Sequence, residues 1–261
     1  MEILLTNDDG VYSPGIQILA LKLTAAGHRV VIMAPDRERS ACGHSMTLEK
    51  PVCFKRVDRN FLYGDIEAYA CDGTPTDCVT MAYDVLGIRP DFLISGINQG
   101  PNLGDDLTYS GTACGAMEGI IFGIPSLAVS LDIRSKKNGV HNSTAAEVTV
   151  RLLEKLAESP MEKGVFYNVN VPNVPFDELK GTYVTVRGRR IYEDRIKVVK
   201  SPFGKEAYWI GGRIVDDPEE GTDVWAVGLD AVSIAPVQMD MTAYAEYNRM
   251  KNGNLEKLLE N

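Results

Sequence analysis

The hydrophobic pattern at the start of the chain predicts a strand, a helix and a second strand. Residues 2–6 (EILLT) are mostly apolar, and Ser13-Pro14 then supplies a cap and a first-turn proline. Apolar side chains recur after this proline at helical spacing, at Ile16, Leu19, Ala20 and Leu23. Gly27 ends the helix, and the apolar run at 29–35 (RVVIMAP) is typical of a strand buried on both faces.

The same alternation continues as far as residue 171. We predict an extended pair at 52–57 and 67–71, strands at 91–96, 125–130 and 165–171, and helices at 72–86, 112–122 and 143–158. Gly115, Gly119 and Gly123 recur every four residues in one of these helices, which predicts close packing against a sheet. Strands that alternate with helices build a parallel sheet covered on both faces. The predicted fold is therefore α/β, with a doubly wound, mostly parallel sheet in a Rossmann-like three-layer core.

The pattern changes after about residue 175. Alternating apolar and polar residues predict antiparallel strands and a hairpin within 182–210, and a returning strand follows at 231–237. The tail, 242–259, has Tyr, Met and Leu residues near one helical face. We predict a catalytic core over 1–175 and a C-terminal extension over 176–261. The hairpin and the tail either contact another subunit or merely cover the core.

Polar loops follow three of the predicted strands. These loops are NDDG (7–10), PDRERSACGHS (35–45) and INQGPNLGDDLTYSGT (97–112). In open parallel sheets, ligands bind outside the carboxyl ends of the strands. If the three strands are parallel, the three loops emerge at one edge of the sheet and their side chains can form one site.

Two adjacent carboxylates, Asp8 and Asp9, end the first strand. Asn, Asp and Gly are common turn residues, so NDDG alone could be a simple turn. Like charges at a partly buried position repel, however, and a hard divalent cation offsets that repulsion through oxygen ligands. The Ser40 hydroxyl and the Asn98 amide oxygen could complete such a site, although a serine in a charged loop is more often a solvent-exposed residue or a cap.

Residues 96–112, which comprise the third loop and the glycine before it, combine four glycines with Asn98 and Asn102, which is typical of a backbone that turns sharply or approaches a ligand closely. A flexible surface loop is the alternative. The loop ends at the start of a helix, where N–H groups and hydroxyls form a phosphate-sized anion site, at Ser110, Gly111 and Thr112. Asn102 is a weaker candidate for substrate binding. Asp105 and Asp106 are expected to face water.

Composition excludes several other functions. The net charge of −9 over 261 residues argues against a nucleic-acid polymer as partner, because no counterion release would drive binding. No apolar run approaches the ~20 residues of a membrane span, and no secretory signal begins the chain. Five scattered cysteines without a C-x-x-C pair predict reduced thiols in a cytoplasmic protein. P-loop, G-x-G-x-x-G and G-x-S-x-G motifs are absent from the predicted elements where they would act.

These segments together resemble the survival protein E family, stationary-phase acid phosphatases that act as 5′-nucleotidases. The similar stretches are LLTNDDG (4–10), APDRERS (34–40), SGINQGPNLGDDLTYSGT (95–112), NVNVP (168–172) and TDVWAVGLDAVSIAPVQMDMT (222–242). The resemblance implies a metal-dependent phosphomonoesterase for nucleoside 5′-monophosphates. It also implies one Mg²⁺ or Mn²⁺ per subunit, held by residues matching Asp8, Asp9, Ser40 and Asn98, and a homodimer or homotetramer. Ala41-Cys42-Gly43 departs from the pattern expected for the family and leaves the local loop shape open.

Some roles and two rival functions stay open at this point. Either Asp8 or Asp9 could act as base or nucleophile, and residues 74–77 could border the nucleoside or simply cap a helix. A response-regulator receiver domain also pairs acids with Mg²⁺ but is about half as long and needs an aspartate at the end of its third strand. A sensor module would bind nucleotide and metal without turnover.

Overall fold

The protein is built around a nine-stranded sheet in a computed structural model that describes residues 1–58, 65–134, 139–216, 218–253 and 258. The strands are β1 (Glu2–Thr6), β2 (Arg29–Pro35), β3 (Phe54–Arg56), β4 (Glu67–Cys71), β5 (Phe92–Gln99), β6 (Ser126–Asp132), β7 (Val165–Pro172), β8 (Thr182–Val184), β9 (Tyr192–Glu193), β10 (Ile196–Lys200), β11 (Glu206–Ile210), β12 (Arg213–Ile214) and β13 (Val232–Gln238). Their order in the large sheet is β3-β4-β2-β1-β5-β6-β7-β13-β8. The six strands from β4 to β7 in this order are mutually parallel, which confirms the predicted fold class.

Helices cover both faces of the sheet because successive strand residues point to opposite sides. The helices are α1 (Pro14–Ala25), α2 (Pro75–Thr80), α3 (Gly111–Ile121), α4 (Asn142–Glu158), α5 (Asp223–Gly228) and α6 (Tyr244–Asn252). In β1, Ile3 belongs to the apolar cluster that includes α1 and α4, whereas Leu4 belongs to the cluster that includes α2 and α3. Two buried layers therefore enclose the strands whose ends carry the polar loops.

The glycines of α3 permit the close approach predicted for this helix. A Cβ at Gly119 would lie 2.2 Å from the Ser126 Oγ, and one at Gly115 would lie 2.8 Å from the Ser95 Oγ. Gly123 has no such neighbour and instead follows the helix at a φ of +75°. Close packing is thus confirmed at two of the three glycines, and it holds the N-terminus of α3 near the ends of β1 and β5.

Two local predictions are corrected. The helix predicted at 72–86 begins after Thr74, and it continues as a wider π-helical turn at Met81–Val85. Ser13 precedes α1, but its side chain does not cap the helix; its hydroxyl oxygen accepts a hydrogen bond from the Asn7 side chain at 2.8 Å. The Ser13 side chain therefore stabilises the polar loop after β1 and does not cap α1.

The C-terminal extension contains both a hairpin and strands that join the large sheet. The β10–β11 pair is antiparallel, as predicted, and a second small antiparallel pair joins β9 and β12. The prediction is wrong for β8, which pairs in parallel with β13, while β13 runs antiparallel to β7. Strands on both sides of residue 175 thus share one sheet, and the division at that residue stays a prediction.

The tail forms the short helix α6, whose side chains are not buried. Among the Leu residues expected on one helical face of the tail 242–259, Leu255 and Leu259 lie outside the described residues. In the part of the chain described above, no helix combines the length and the apolar character needed to cross a membrane.

Candidate active site

A cleft of about 510 Å³ lies where the loops after β1, β2 and β5 meet. Parallel pairing of β1 with both β2 and β5 brings these three strand ends to one edge, as the sequence pattern predicted. The residues that line the cleft are Asp8, Asp9, Glu38, Ser40, Ala41, Asn98, Gln99, Asn102, Asp106, Tyr109, Ser110 and Ile210. The structure thus gathers Asp8, Asp9, Ser40 and Asn98, from three separate segments, around one space.

The turn that carries the two carboxylates is built by its neighbours. The Asn7 amide accepts the N–H of Gly10 at 3.1 Å and donates to the Gly10 carbonyl at 3.0 Å. Gly10 has a φ of +97°, a conformation that L side chains rarely adopt. NDDG is therefore a turn, as its composition predicted, and this turn presents Asp8 and Asp9 to the cleft.

Asp8 and Asp9 are anchored by different segments. Asp8 is only 4% exposed, and its Oδ1 accepts a hydrogen bond from the Thr112 hydroxyl on α3 at 2.5 Å. Asp9 is less buried, and its Oδ2 accepts the backbone N–H of Gln99 at 3.0 Å. Asp8 is therefore held by the start of α3, and Asp9 by the end of β5.

Burial raises the pKa of both carboxyl groups. For Asp8, desolvation outweighs the opposing hydrogen bond from Thr112. For Asp9, desolvation, opposed by the Gln99 N–H and reinforced by the negative charge of Asp8, raises the pKa to about 6. Within the described residues, no Lys, Arg or His lies within 4.0 Å of either carboxylate. The pair therefore lacks the positive partner that its charge requires.

Ser40 and Asn98 add neutral oxygen donors to the same cleft. The Ser40 hydroxyl donates to the Glu38 carboxylate at 2.6 Å, and the neighbouring Arg39 N–H donates to the Asp8 carbonyl at 2.7 Å. The Asn98 side-chain N–H donates to the Gly100 carbonyl at 2.7 Å, which leaves its Oδ1 as a free acceptor in the described structure. Two carboxylates, a hydroxyl and an amide oxygen are the ligands that Mg²⁺ and Mn²⁺ prefer. Only two of these four side chains are carboxylates. Among the described residues, no group of three or more His, Cys, Asp or Glu side chains is placed to hold a metal ion.

Asn102 is held by a buried amide network that was not expected from the sequence pattern. Its N–H donates to the Asn170 side chain at 2.8 Å, and its carbonyl accepts from the side chains of Asn168 and Asn170 at 2.8 and 3.1 Å. Its own amide donates to the Ser130 hydroxyl at 2.8 Å. The signal was available in the NVNV pattern of β7, where polar side chains sit in an otherwise apolar strand.

The three residues predicted to bind phosphate have different surroundings at the start of α3. Ser110 lines the cleft and caps the helix, because its hydroxyl oxygen accepts the Ala113 N–H at 3.0 Å. Gly111 sits against Asp8, since a Cβ there would lie 2.9 Å from the Asp8 Cβ. The Thr112 hydroxyl is fully buried and donates to Asp8, and the Thr112 backbone N–H also faces the Asp8 carboxyl, so contact of Thr112 with substrate stays a prediction.

The expectation that Asp106 faces water is wrong. Its carboxylate is 25% exposed, accepts the Tyr192 hydroxyl at 2.5 Å and lies 3.2 Å from the Arg190 guanidinium. Asp105 is half-exposed and pairs with Arg187 at 3.2 Å. The partners follow some 85 residues later in the chain, so no local pattern could indicate them.

Residues 74–77 form a helix cap. Thr74 accepts the Asp77 N–H at 3.1 Å, and the Asp77 carboxylate accepts the Thr74 N–H at 2.8 Å. Asp77 also accepts the N–H and hydroxyl of Thr47. These residues do not line the cleft, so the capping interpretation of this segment is the one the structure bears out.

Comparisons with known proteins agree with one another. The family described as Survival protein SurE matches residues 3–194. A protein of Thermosynechococcus vestitus named 5′-nucleotidase SurE is 46% identical over 249 residues, which cover 93% of this chain and 92% of that protein. Another of the same name from Geobacter metallireducens is 43% identical and covers 99% of both chains.

A solved structure is similar over the whole fold. The crystal structure of the SurE protein from Aquifex aeolicus has a TM-score of 0.83 and 40% sequence identity, and the comparison covers 100% of both chains. The similarity extends through the strands and loops that form the cleft. This chain therefore belongs to the survival protein SurE family.

Proposed function

We propose that this chain hydrolyses nucleoside 5′-monophosphates to a nucleoside and inorganic phosphate, with a divalent cation, Mg²⁺ or Mn²⁺, held by Asp8, Asp9, Ser40 and Asn98. Relatives named 5′-nucleotidase support the enzyme class, which is that of a phosphatase acting on nucleotides. The observation that carries the proposal is the meeting of these four oxygen-bearing side chains in one cleft. A sensor without turnover would need the same binding groups, so only an activity assay separates the two.

The chemistry of the donors fits the proposed ion. Asp8 and Asp9 have raised pKa values and no positive partner in the described structure, so a bound cation lowers the cost of ionising both. When bound, such an ion lowers the pKa of a coordinated water and stabilises charge on a phosphoryl group. These four side chains form one set of oxygen ligands, which corresponds to one ion per subunit.

The two carboxylates are suited to different tasks. Asp8 is fixed by Thr112 and buried, so it serves as a rigid anionic anchor. Asp9 is less buried than Asp8 and lines the cleft, so its carboxylate can accept a proton from an attacking water. We assign Asp9 as the general base and leave the nucleophile as water.

The start of α3 supplies the phosphate contacts. The first N–H groups of a helix lack partners within the helix and point at anions placed before it. Ser110, Gly111 and Thr112 begin this helix directly beside Asp8. Asn102, held rigidly by its amide network, adds a polar side chain from the same cleft.

Chelation tests the proposed metal dependence. Treatment with EDTA is expected to reduce release of phosphate from AMP by at least about 100-fold, because the ion supplies several kcal/mol of transition-state stabilisation. Excess Mn²⁺ or Mg²⁺ is expected to restore it. Phosphate release that persists after exhaustive chelation would contradict the metal site, and nucleotide binding without release in the metal-loaded protein would instead indicate a sensor.

We propose that the chain assembles as a homodimer or homotetramer through the β10–β11 hairpin and the tail. Every residue of β10 and β11 is exposed, including Trp209, and Phe203 at the turn is 92% exposed. Uncovered apolar side chains of this kind commonly mark a protein interface. Analytical ultracentrifugation is expected to give at least twice the 28.6 kDa of the chain, and a monomer at micromolar concentration would contradict the assembly.

A further inference from the structure

The cleft is lined by two kinds of side chain. The metal-binding set and Ser110 are polar, whereas Tyr109 and Ile210 are the large apolar side chains among the lining residues. Tyr109 is 66% exposed and Ile210 is 87% exposed, so neither is covered by its own chain. Large apolar side chains left open at the mouth of a polar cleft are typical of ligand contacts.

We propose that Tyr109 and Ile210 contact the nucleobase, and that Tyr109 sets the preference of the enzyme for nucleotides over phosphate esters that lack a base. The inference rests on the proposed function, which supplies a phosphate site next to Ser110. A nucleoside monophosphate has a charged phosphate at one end and a flat aromatic base at the other. These two parts match the two kinds of side chain that line the cleft.

The backbone positions Tyr109 next to the phosphate contacts. It directly precedes Ser110, the N-cap of α3, and its carbonyl accepts the Gly43 N–H at 3.0 Å. The second contact ties Tyr109 to the loop that also carries Ser40. In the described structure the Tyr109 side chain makes no hydrogen bond and no aromatic contact, so its ring is available to stack on a base.

Ile210 reaches the cleft because the base of the hairpin is tied to the 3-10 turn at Gly104–Tyr109. Asp106 in that turn accepts the Tyr192 hydroxyl and pairs with Arg190, both of which precede β10. Ile210 ends β11 opposite Ile196. Tyr109 and Ile210 therefore lie on segments that the Asp106–Arg190 ion pair holds together. This ion pair helps to fix both side chains in place before a ligand binds.

The contacts predict selectivity by stacking rather than by hydrogen bonds to particular base edges. An aromatic ring stacks on any base because every base has a π-face, and an aliphatic side chain adds apolar contact without directional demands. We therefore expect purine and pyrimidine monophosphates to be accepted, with larger purines favoured. Ribose 5-phosphate, which keeps the sugar and phosphate but lacks the base, is expected to gain nothing from Tyr109.

The test compares AMP with ribose 5-phosphate in the metal-loaded enzyme. Tyr109→Ala is expected to lower the ratio of kcat/KM for AMP to kcat/KM for ribose 5-phosphate by about tenfold, mainly through the KM for AMP. Tyr109→Phe keeps the ring and is expected to hold that ratio within about twofold. Ile210→Ala is expected to lower it by about threefold, with sedimentation run alongside to exclude a change of assembly.

Phe203→Ala provides the matched control, because it removes an exposed apolar side chain of the same hairpin that does not line the cleft. We expect it to leave the ratio unchanged. An equal loss on both substrates in Tyr109→Ala, or an unchanged ratio, would overturn the nucleobase contact. Failure of the wild-type enzyme to release phosphate from either substrate would instead refute the proposed function itself, so the two failures are distinguishable.

Discussion

Asp9→Asn is expected to lower kcat/KM for AMP by about a thousandfold or more while making the metal-free protein more stable. The asparagine keeps an oxygen that can accept the Gln99 N–H. It removes a metal ligand and the proposed general base, and losses of this size follow when a group acting in the transition state is removed. It also removes a desolvated negative charge beside Asp8.

The sign of the stability change follows from the pKa of Asp9. Because its pKa rises from 3.8 to about 6 on folding, the folded state binds the proton more tightly than the unfolded chain does. Stability is therefore lost as the pH rises through this interval, and the neutral variant avoids that loss. After allowance for the partial exposure of Asp9, we expect a gain of about 1–2 kcal/mol at pH 7 without metal, or about 2–8 °C in Tm.

The controls for this prediction are a change of pH and the substitution of a carboxylate outside the cleft. At pH 3 Asp9 is protonated in the folded state and mostly protonated in the unfolded chain, so the difference in Tm between wild type and Asp9→Asn is expected to become small. Asp105→Asn alters a half-exposed loop carboxylate that does not line the cleft, and it is expected to change stability by less than about 1 kcal/mol. An Asp9→Asn protein that is less stable than wild type without metal would contradict the electrostatic account.

Arg190→Ala is expected to destabilise the protein by about 3 kcal/mol. The Arg190 side chain is 2% exposed and lies 2.8 Å from the Asp216 carboxylate and 3.2 Å from that of Asp106. Removing one partner of a buried ion pair leaves charges that are neither solvated nor paired. Arg134, at 3.8 Å from Asp216, compensates only in part. Because Asp106 lines the cleft, kcat/KM is also expected to fall.

Arg187→Ala is the matched control, since Arg187 pairs with the adjacent Asp105 through side chains that are both about half exposed. Exposed pairs contribute little, so we expect a loss below about 1 kcal/mol. Thermal denaturation of the two variants measures the difference. If Arg190→Ala prevents folding, Arg190→Lys keeps the charge without the planar fork and is expected to fall between the two. Equal losses in Arg187→Ala and Arg190→Ala would contradict a buried network.

Much of the fold was predictable from local pattern. Continuous apolar runs such as 29–35 and helical periodicity after Pro14 identify elements because burial on one or two faces imposes a fixed spacing. The placement of β8 was not predictable, because alternating residues in a strand report which face is buried and not the direction of the partner strand. The wide turn after α2 likewise has no signature in the apolar pattern.

The features of the candidate site can also be separated into those that the sequence predicts and those that it does not. Asp8, Asp9, Ser40 and Asn98 were predictable because polar residues directly after parallel strands must emerge at one edge. The hydrogen bond from Thr112 to Asp8 was not predictable, since a hydroxyl at a helix start can serve a substrate, the helix or a distant carboxylate.

The sequence by itself determined the order of strands and helices, the edge at which the polar loops gather and the oxygen chemistry of the proposed metal site. Local spacing encodes these features, because each depends on neighbours a few residues apart. Only the tertiary structure decided that Thr112 holds Asp8, that Arg190 joins the extension to Asp106, and that Ile210 reaches the cleft. Those contacts join residues about eighty to more than one hundred positions apart, and their geometry depends on how whole elements pack.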